Sequence, residues 1–465
     1  MELKKLIDLE YLSKKYDQTN IPLYLSYPTT SFWKNPADES VFACSFKREN
    51  NPFLYFHFPY CKTACYYCCC YKKITKDENK KDTYIRYLKK EFTTKMQLLD
   101  VDRFLNVKHL HWGSGTPTYL TCNQIENVFS FIAERLEIKD TGDSSISIEA
   151  YPDDEVVSYK KLKLIRNLGF NEISFGIQDF DNRIQKTIGR KCEIETVKEI
   201  INKSKELGFR VHIDLCYGLP FQGLGEIENT IKYIIAMDPD RVSLFPYIHY
   251  PLQFPLQKKI PASSIPNSFI KVLLIIRAEE LLTAYGYKKI GMDHFVKPDN
   301  SLYKASMENK IIKDFMGYSV DKRRSFIGFG FSAISLLGYN YFHNTTSLNE
   351  YYIKVDNGQL PLKQNTAFYL LQDDIIRNRI IQKSILCDFV IDKNEINRIF
   401  NIHFDEYFKK ELFYLNDLEK DNLVNSTSKE KIFITSEGKH FSRNIAYIFD
   451  KYYQKKNYKQ QNIEV

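Results

Sequence analysis

Five of the chain's ten cysteines fall within ten positions, in "FHFPYCKTACYYCCCYKK": Cys61, Cys65, Cys68, Cys69 and Cys70. The first three are spaced C-x3-C-x2-C. A structural zinc ion asks for four ligands, typically two separated pairs of thiolates or imidazoles, and no second C-x2-C exists. Three cysteines can instead hold three irons of a four-iron cluster. The fourth iron then stays open to nitrogen and oxygen donors of a bound molecule, which a cluster requires if it is to pass an electron directly to that molecule. Tyr66 and Tyr67, between the ligands, would shield such a cluster and tune it. A buried cysteine-rich turn or a zinc knuckle is the other reading of the spacing. Of Cys69 and Cys70, one reads as a packing thiol and the other as a group facing the substrate.

The elements around this motif must bring its partners to one place. From about residue 51 to 250, short β-branched and aromatic runs alternate with amphipathic patterns. "PFLYFHF", "VKHLHWGSG", "SISIEAYP", "EISFGIQDF", "RVHIDLCYGLP" and "RVSLFPYIHY" read as strands. "TYIRYLKKEFTTKMQLL", "NQIENVFSFIAERLE", "YKKLKLIRNLG", "ETVKEIINKSKELG" and "EIENTIKYIIAM" read as helices. Six alternations predict a parallel sheet, open or curled into a partial barrel. In such sheets chemistry gathers at the C-terminal strand ends. The unusual residues fall there: the cysteines after strand one, "GSGTPT" after two, Glu149 near the end of three, "QDF" after four, and Asp214 on five.

Residues 1–50 read as an N-terminal arm packing across the barrel, 51–365 as the barrel and its extension, and 366–465 as a mainly helical C-terminal domain with a small hairpin at "KIFITSEGK". A net charge of +8 over 465 residues is mild, with no dense basic stripe of the kind a nucleic-acid groove shows. The N-terminus lacks an apolar core of signal-peptide length, and the most apolar run, "FIGFGFSAISLLGYNYF", is Gly-rich and short for a bilayer. The expectation is a cytoplasmic protein with no nucleic acid and no membrane partner, in a compartment where clustered thiols point to metal or catalysis.

C-x3-C-x2-C with an aromatic before its third cysteine resembles the radical S-adenosylmethionine (SAM) superfamily. "YFHFPYCKTACYYCCC", "HWGSGTPTYL", "ISFGIQDFDNRIQKTIGR", "HIDLCYGLPFQ", "IGMDHFVKPD", "YLSYPT" and "GFSAIS" together resemble the bacterial oxygen-independent coproporphyrinogen III oxidases. The resemblance implies a partial (β/α)6 radical-SAM barrel, with a [4Fe-4S] cluster on Cys61, Cys65 and Cys68. It implies one SAM at Tyr55, Ser114, Glu149 and Ile334, and a second at Tyr67, Gly115, Thr116, Gln178, Arg190, Asp214 and Ile248. Cys70 matches an additional family cysteine and is expected to act in catalysis. The implied reaction, in haem biosynthesis, is radical oxidative decarboxylation of two propionates of coproporphyrinogen III, giving protoporphyrinogen IX. An electron-donor protein and a monomeric state are expected with it. A haem chaperone or haem-degrading relative is the alternative within the superfamily.

The residue types suit these roles. Gly115 would let backbone approach a methionyl group closely. Glu149 and Asp214 suit an ammonium, a sulfonium or ribose hydroxyls, and Arg190 suits a carboxylate. The plainer readings are a surface carboxylate for Glu149, an exposed helix charge for Arg190, and core packing for Ile248 and Ile334. His57, His249 and His294 read equally as pocket residues or as hydrogen-bonded core histidines. Three departures from the family pattern stand out: Ser114 where glycine is usual, Cys69 where glycine is usual, and Leu23 where an arginine commonly precedes "YPT".

Overall fold

The structure is a computed structural model, and it describes residues 3–19, 21–99, 104–138, 144–320 and 325–453. Contacts divide the chain into two compact units, one of Lys34–Ile265 with Arg323–Tyr369 and one of Met1–Trp33, Pro266–Lys322 and Leu370–Val465. These units interleave along the chain, whereas the sequence reading drew consecutive segments at 1–50, 51–365 and 366–465.

In the first unit all six expected strands form and pair in parallel: Phe53–Phe58, His109–Ser114, Ser145–Ala150, Glu172–Gln178, Arg210–Tyr217 and Arg241–Pro246. Amphipathic helices connect them, including Cys122–Ala133, which Thr121 and Gln124 close with a reciprocal capping box. On its other edge the first strand pairs in parallel with Phe326–Phe329, and the sheet then continues through antiparallel Ile334–Leu337, Asn340–His343 and Phe368–Tyr369. "VKHLHWGSG" is not one strand. Leu105–Val107 pairs with Leu136–Ile138, and only His109–Ser114 joins the main sheet. A short helix, Asn182–Ile188, was also not expected; it is capped by Asp181 and stopped by Gly189 at φ 68°.

Strand period and register sort the side chains. On the fourth strand Ile173, Phe175 and Ile177 are fully buried, while Glu172, Ser174, Gly176 and Gln178 alternate with them on the other face. On the fifth, Val211, Ile213 and Leu215 alternate with Arg210, His212 and Asp214. Register aligns these polar positions across the sheet: Tyr55 beside His111, His111 beside Ser147, Glu149 beside Ser174, Ser174 beside His212, and Gly176 beside Asp214. One face is therefore an apolar core, with Phe56, Trp112, Phe129 and Phe170 in edge and tilted ring contacts. The other carries a polar row, in which Glu172 accepts from Arg210 and from Ser145. Burial pushes the Glu172 carboxyl up, but the charges of His212 and Arg210 and these hydrogen bonds outweigh it and hold it at about 2.

The second unit has its own core, in which Leu9, Leu12, Tyr24 and Tyr27 join Ile376, Ile380, Phe408, Phe441 and Phe449. The stretch expected as a hairpin, Lys431–Ile434, is the centre of a three-stranded antiparallel sheet with Val390–Asp392 and Val424–Asn425. No helix among the described residues is long and apolar enough to cross a membrane.

Candidate functional site

Every candidate site residue lies in the first unit, most of them near or beyond the C-terminal ends of its parallel strands. The cysteine loop leaves the first strand at Phe58 and is held by backbone. Gly115 N–H donates to Phe58 O at 2.8 Å, Thr116 N–H to Tyr60 O at 3.0 Å, and Tyr66 N–H to Ile188 O at 2.8 Å. A Cβ on Gly115 would sit 2.5 Å from Phe58 O, so this glycine serves the passage of one chain segment over another.

Around the thiols, Thr116 Oγ1 donates to Cys61 Sγ and Arg190 Nη1 to Cys65 Sγ, both at 3.5 Å. Cys70 N–H donates to Cys68 Sγ at 3.4 Å. Hydrogen bonding from Cys70 holds the Cys68 thiol below its ordinary range, at about 5, while burial pushes Cys61 up to about 11. The thiolate form of Cys68 is thereby favoured. Cys69 and Cys70 are both exposed. Among the described residues no three His, Cys, Asp or Glu side chains converge on a point that would hold a single metal ion.

One group of polar residues surrounds Glu149. Its Oε1 accepts from His111 Nε2 at 3.1 Å and its Oε2 from Ser114 N–H at 2.9 Å. Ser114 holds φ at 89°, a conformation that favours glycine, and its hydroxyl lies beside Tyr55. The unusual serine therefore keeps the glycine-type backbone. Tyr55 Oη bonds His57 Nδ1 at 3.2 Å, and its ring stacks on His111 with centroids 6.0 Å apart. His57 Nε2 faces the Tyr71 carbonyl at 3.0 Å, so that nitrogen carries the proton and Nδ1 accepts from Tyr55. Burial holds His57 down at about 4, hence neutral near pH 7. The Glu149 side chain is 38% exposed, with one hydrogen-bond partner on each oxygen.

A second group surrounds Arg190. Its guanidinium lies 4.3 Å from the Tyr151 ring centroid, and Nη2 donates to Gly176 O. Its Nε is buried with no hydrogen-bond partner. Gln178, at φ 72° beside a bulge in the fourth strand, brings its amide to the same glycine. Asp214 accepts from Ser174 at 2.6 Å, and burial raises its carboxyl although that hydrogen bond opposes the shift. Tyr67 packs with Ile184, Ile188, Cys216 and Leu219. Ile334 is buried at the start of its strand. Ile248 lies just past the sixth strand, where its carbonyl accepts from Gln257 at 3.1 Å.

Sequence reasoning missed Gln257, because a lone glutamine in a loop carries no spacing signal. It also missed His111, which only the strand register places against Glu149. Asp179, in "QDF", is fully buried and braced by Gln222 and Thr230, a structural role. His294 bonds its neighbour Asp293 at 2.6 Å within the second unit, as a hydrogen-bonded core histidine does. His249 bonds Tyr247 Oη at 2.7 Å.

The donor set agrees with the groups expected of it. Three thiols lie on one loop, the partly open Glu149 carboxylate has room for a further donor, and a buried guanidinium N–H of Arg190 lacks an acceptor. Residues 55–234 match the radical SAM superfamily. Over 453 residues the chain is 35% identical to the oxygen-independent coproporphyrinogen III oxidase of Salmonella typhimurium, covering 97% of this chain and 96% of that one. It is similarly 35% identical over 459 residues to the enzyme of that name from Synechocystis, with the same coverage. The solved coproporphyrinogen III oxidase of Escherichia coli, described as a radical SAM enzyme, superposes with a TM-score of 0.85 at 34% identity, over 92% of this chain and 97% of that one.

Proposed function

Because the chain belongs to the oxygen-independent coproporphyrinogen III oxidases of the radical SAM superfamily, we propose that it decarboxylates two propionates of coproporphyrinogen III to vinyl groups, yielding protoporphyrinogen IX for haem biosynthesis. When bound, a [4Fe-4S] cluster and SAM supply one-electron chemistry strong enough to take hydrogen from an unactivated carbon. This chain's residues hold and orient the parts. Cys61, Cys65 and Cys68 ligate the cluster. Glu149, oriented by His111 and Ser114 N–H, receives the ammonium of a first SAM near Tyr55 and Ile334. Arg190 offers its free Nε to the carboxylate of a second SAM, beside Tyr67, Gly115, Thr116, Gln178, Asp214 and Ile248. Cys70, exposed next to Cys68, faces the substrate.

The observation that carries this reading is that Thr116 and Arg190, both second-SAM positions, each reach a motif thiol at 3.5 Å. A monomeric cytoplasmic enzyme served by a separate electron-donor protein belongs to the same proposal, as do segment boundaries near 50 and 365.

Anaerobic reconstitution, followed by assay with reductant, SAM and coproporphyrinogen III, tests it. Product is expected from the native chain. Alanine at Cys61, Cys65 or Cys68 should abolish both iron–sulfide content and turnover, and Cys70→Ser should keep the cluster but depress product. A triple alanine variant with normal iron content would sink the ligand assignment.

A further inference from the structure

We infer that Gln257 is a positioning residue that locks the cysteine loop to the chain leaving the sixth strand, and so forms the second SAM site. This rests on the two-SAM reading above. Gln257 is fully buried, in the turn Pro255–Lys259. Its Oε1 accepts from Tyr250 N–H at 2.6 Å, and its Nε2 donates to Tyr67 O and Ile248 O, both at 3.1 Å. The Cys69 sulfur lies 3.6 Å from the same nitrogen. A backbone N–H can only donate and a carbonyl can only accept, so these partners fix which end of the amide is which. The two N–H groups are used by the two carbonyls, which leaves the thiol as a weaker contact.

The two carbonyls belong to different parts of the site. Tyr67 lies between Cys65 and Cys68, and Ile248 lies two residues past the end of the sixth strand. Both are second-SAM positions, so one side chain sets the spacing between two walls of that site. The turn supports the loop a second time, because Lys259 Nζ sits 4.6 Å from the Tyr66 ring centroid. The first SAM group, around Glu149 and Ser114, has no hydrogen bond to Gln257.

The arrangement makes length and polarity separable. Gln257→Glu keeps the length and the acceptor for Tyr250, but turns a carboxylate oxygen toward two carbonyl oxygens. Gln257→Met keeps approximate length and removes both donors without adding a charge.

The test uses the full chain, reconstituted anaerobically. Iron and sulfide content, SAM binding at equilibrium, and the electron paramagnetic resonance of the reduced cluster with and without SAM are measured. Both variants should retain normal iron, and both should show the SAM-induced spectral change that reports the first site. Affinity for the second SAM should fall about tenfold or more, the scale of one or two lost hydrogen bonds, and further in Gln257→Glu than in Gln257→Met. Unchanged affinity for the second SAM in both variants would overturn the inference. So would loss of cluster and both SAM molecules together in both variants, the signature of a merely structural residue. A native chain that binds only one SAM removes the two-SAM reading itself, and the inference with it.

Discussion

Two carboxylates in the same unit, Glu91 and Glu149, are bonded in opposite ways. Glu91 is completely buried, and both of its oxygens are saturated. Oε1 accepts from Lys95 Nζ at 2.7 Å and Asn344 Nδ2 at 2.8 Å, while Oε2 accepts from Gly330 N–H at 2.6 Å and Tyr351 Oη at 2.7 Å. Glu149 has one partner on each oxygen and remains partly open. Glu91 has no acceptor capacity left for a ligand and braces the turn after Phe329, which leads to Ile334. Glu149 keeps capacity in reserve. Arg190 repeats the second pattern with its unpartnered Nε. The contrast is between a carboxylate whose bonding is used up inside the fold and two groups, Glu149 and Arg190, that keep capacity for the ligands proposed for them.

The largest effect that could break this contrast is on folding. Glu91→Ala leaves the Lys95 ammonium buried without its partner, so a loss of about 3–5 kcal/mol is expected. Glu149→Ala, at a half-open site, should cost under about 1 kcal/mol while removing first-SAM binding. Chemical denaturation of both variants measures this. Equal destabilisation would show that Glu149 is as structural as Glu91.

Next in size is Arg190→Ala. Losing a buried, charge-assisted bond to a carboxylate should weaken the second SAM by about 2–3 kcal/mol, roughly thirty- to a hundred-and-fifty-fold, with the cluster retained. Equilibrium SAM binding decides it. Two SAM molecules bound with native affinity would return Arg190 to a structural charge.

A smaller effect sharpens the comparison at Ser114. Glycine relieves the φ of 89°, worth about 1 kcal/mol, but gives up the hydroxyl that lies beside Tyr55. Ser114→Gly should therefore raise stability by less than about 1 kcal/mol in thermal denaturation. A clear drop would mean that the hydroxyl outweighs the backbone strain.

Much of the strand framework that carries the candidate site could be read from sequence, and the reasons are physical. The cysteine spacing and the six strand patterns are local signals, and parallel strands have to put their ends on one side. Glu149, Gln178 and Asp214 enter as candidates through the family resemblance, and Gln178 and Asp214 also because polar residues inside apolar runs are costly unless used. What was hidden depends on register or on distant chain segments. His111 meets Glu149 only through strand pairing, and Gln257 reaches Tyr67 across 190 positions. The sequence also cannot show that Gly115 lets one chain segment pass over another, beside Phe58 O. The composition of the second unit was hidden as well, since residues 3–15 and 376–449 share one core through contacts that no periodicity encodes.

The smallest effect per group compares the two units by pH. Burial holds His57, His212, His343 and His440 down at about 4. In the unfolded chain each would bind a proton below about 6.5, so between 6.5 and 4 the unfolded state carries more protons. Their contribution to stability is fully present above 6.5 and is lost as pH falls toward 4. Burial lifts Asp179 and Asp450 to about 6, which works the other way: their contribution is present at low pH and is lost as pH rises through 6. The first unit holds three of the histidines and Asp179, while the second holds His440 and Asp450. Acidification should therefore weaken the first unit and leave the second nearly balanced. From pH 7 to 6 each histidine costs under about 1 kcal/mol. Hydrogen exchange, corrected for its intrinsic pH dependence, should show protection falling in strands 53–58, 210–217 and 340–343 while segment 441–449 changes little. Equal loss in both units, or loss confined to 441–449, would mean that these buried groups do not set the acid response.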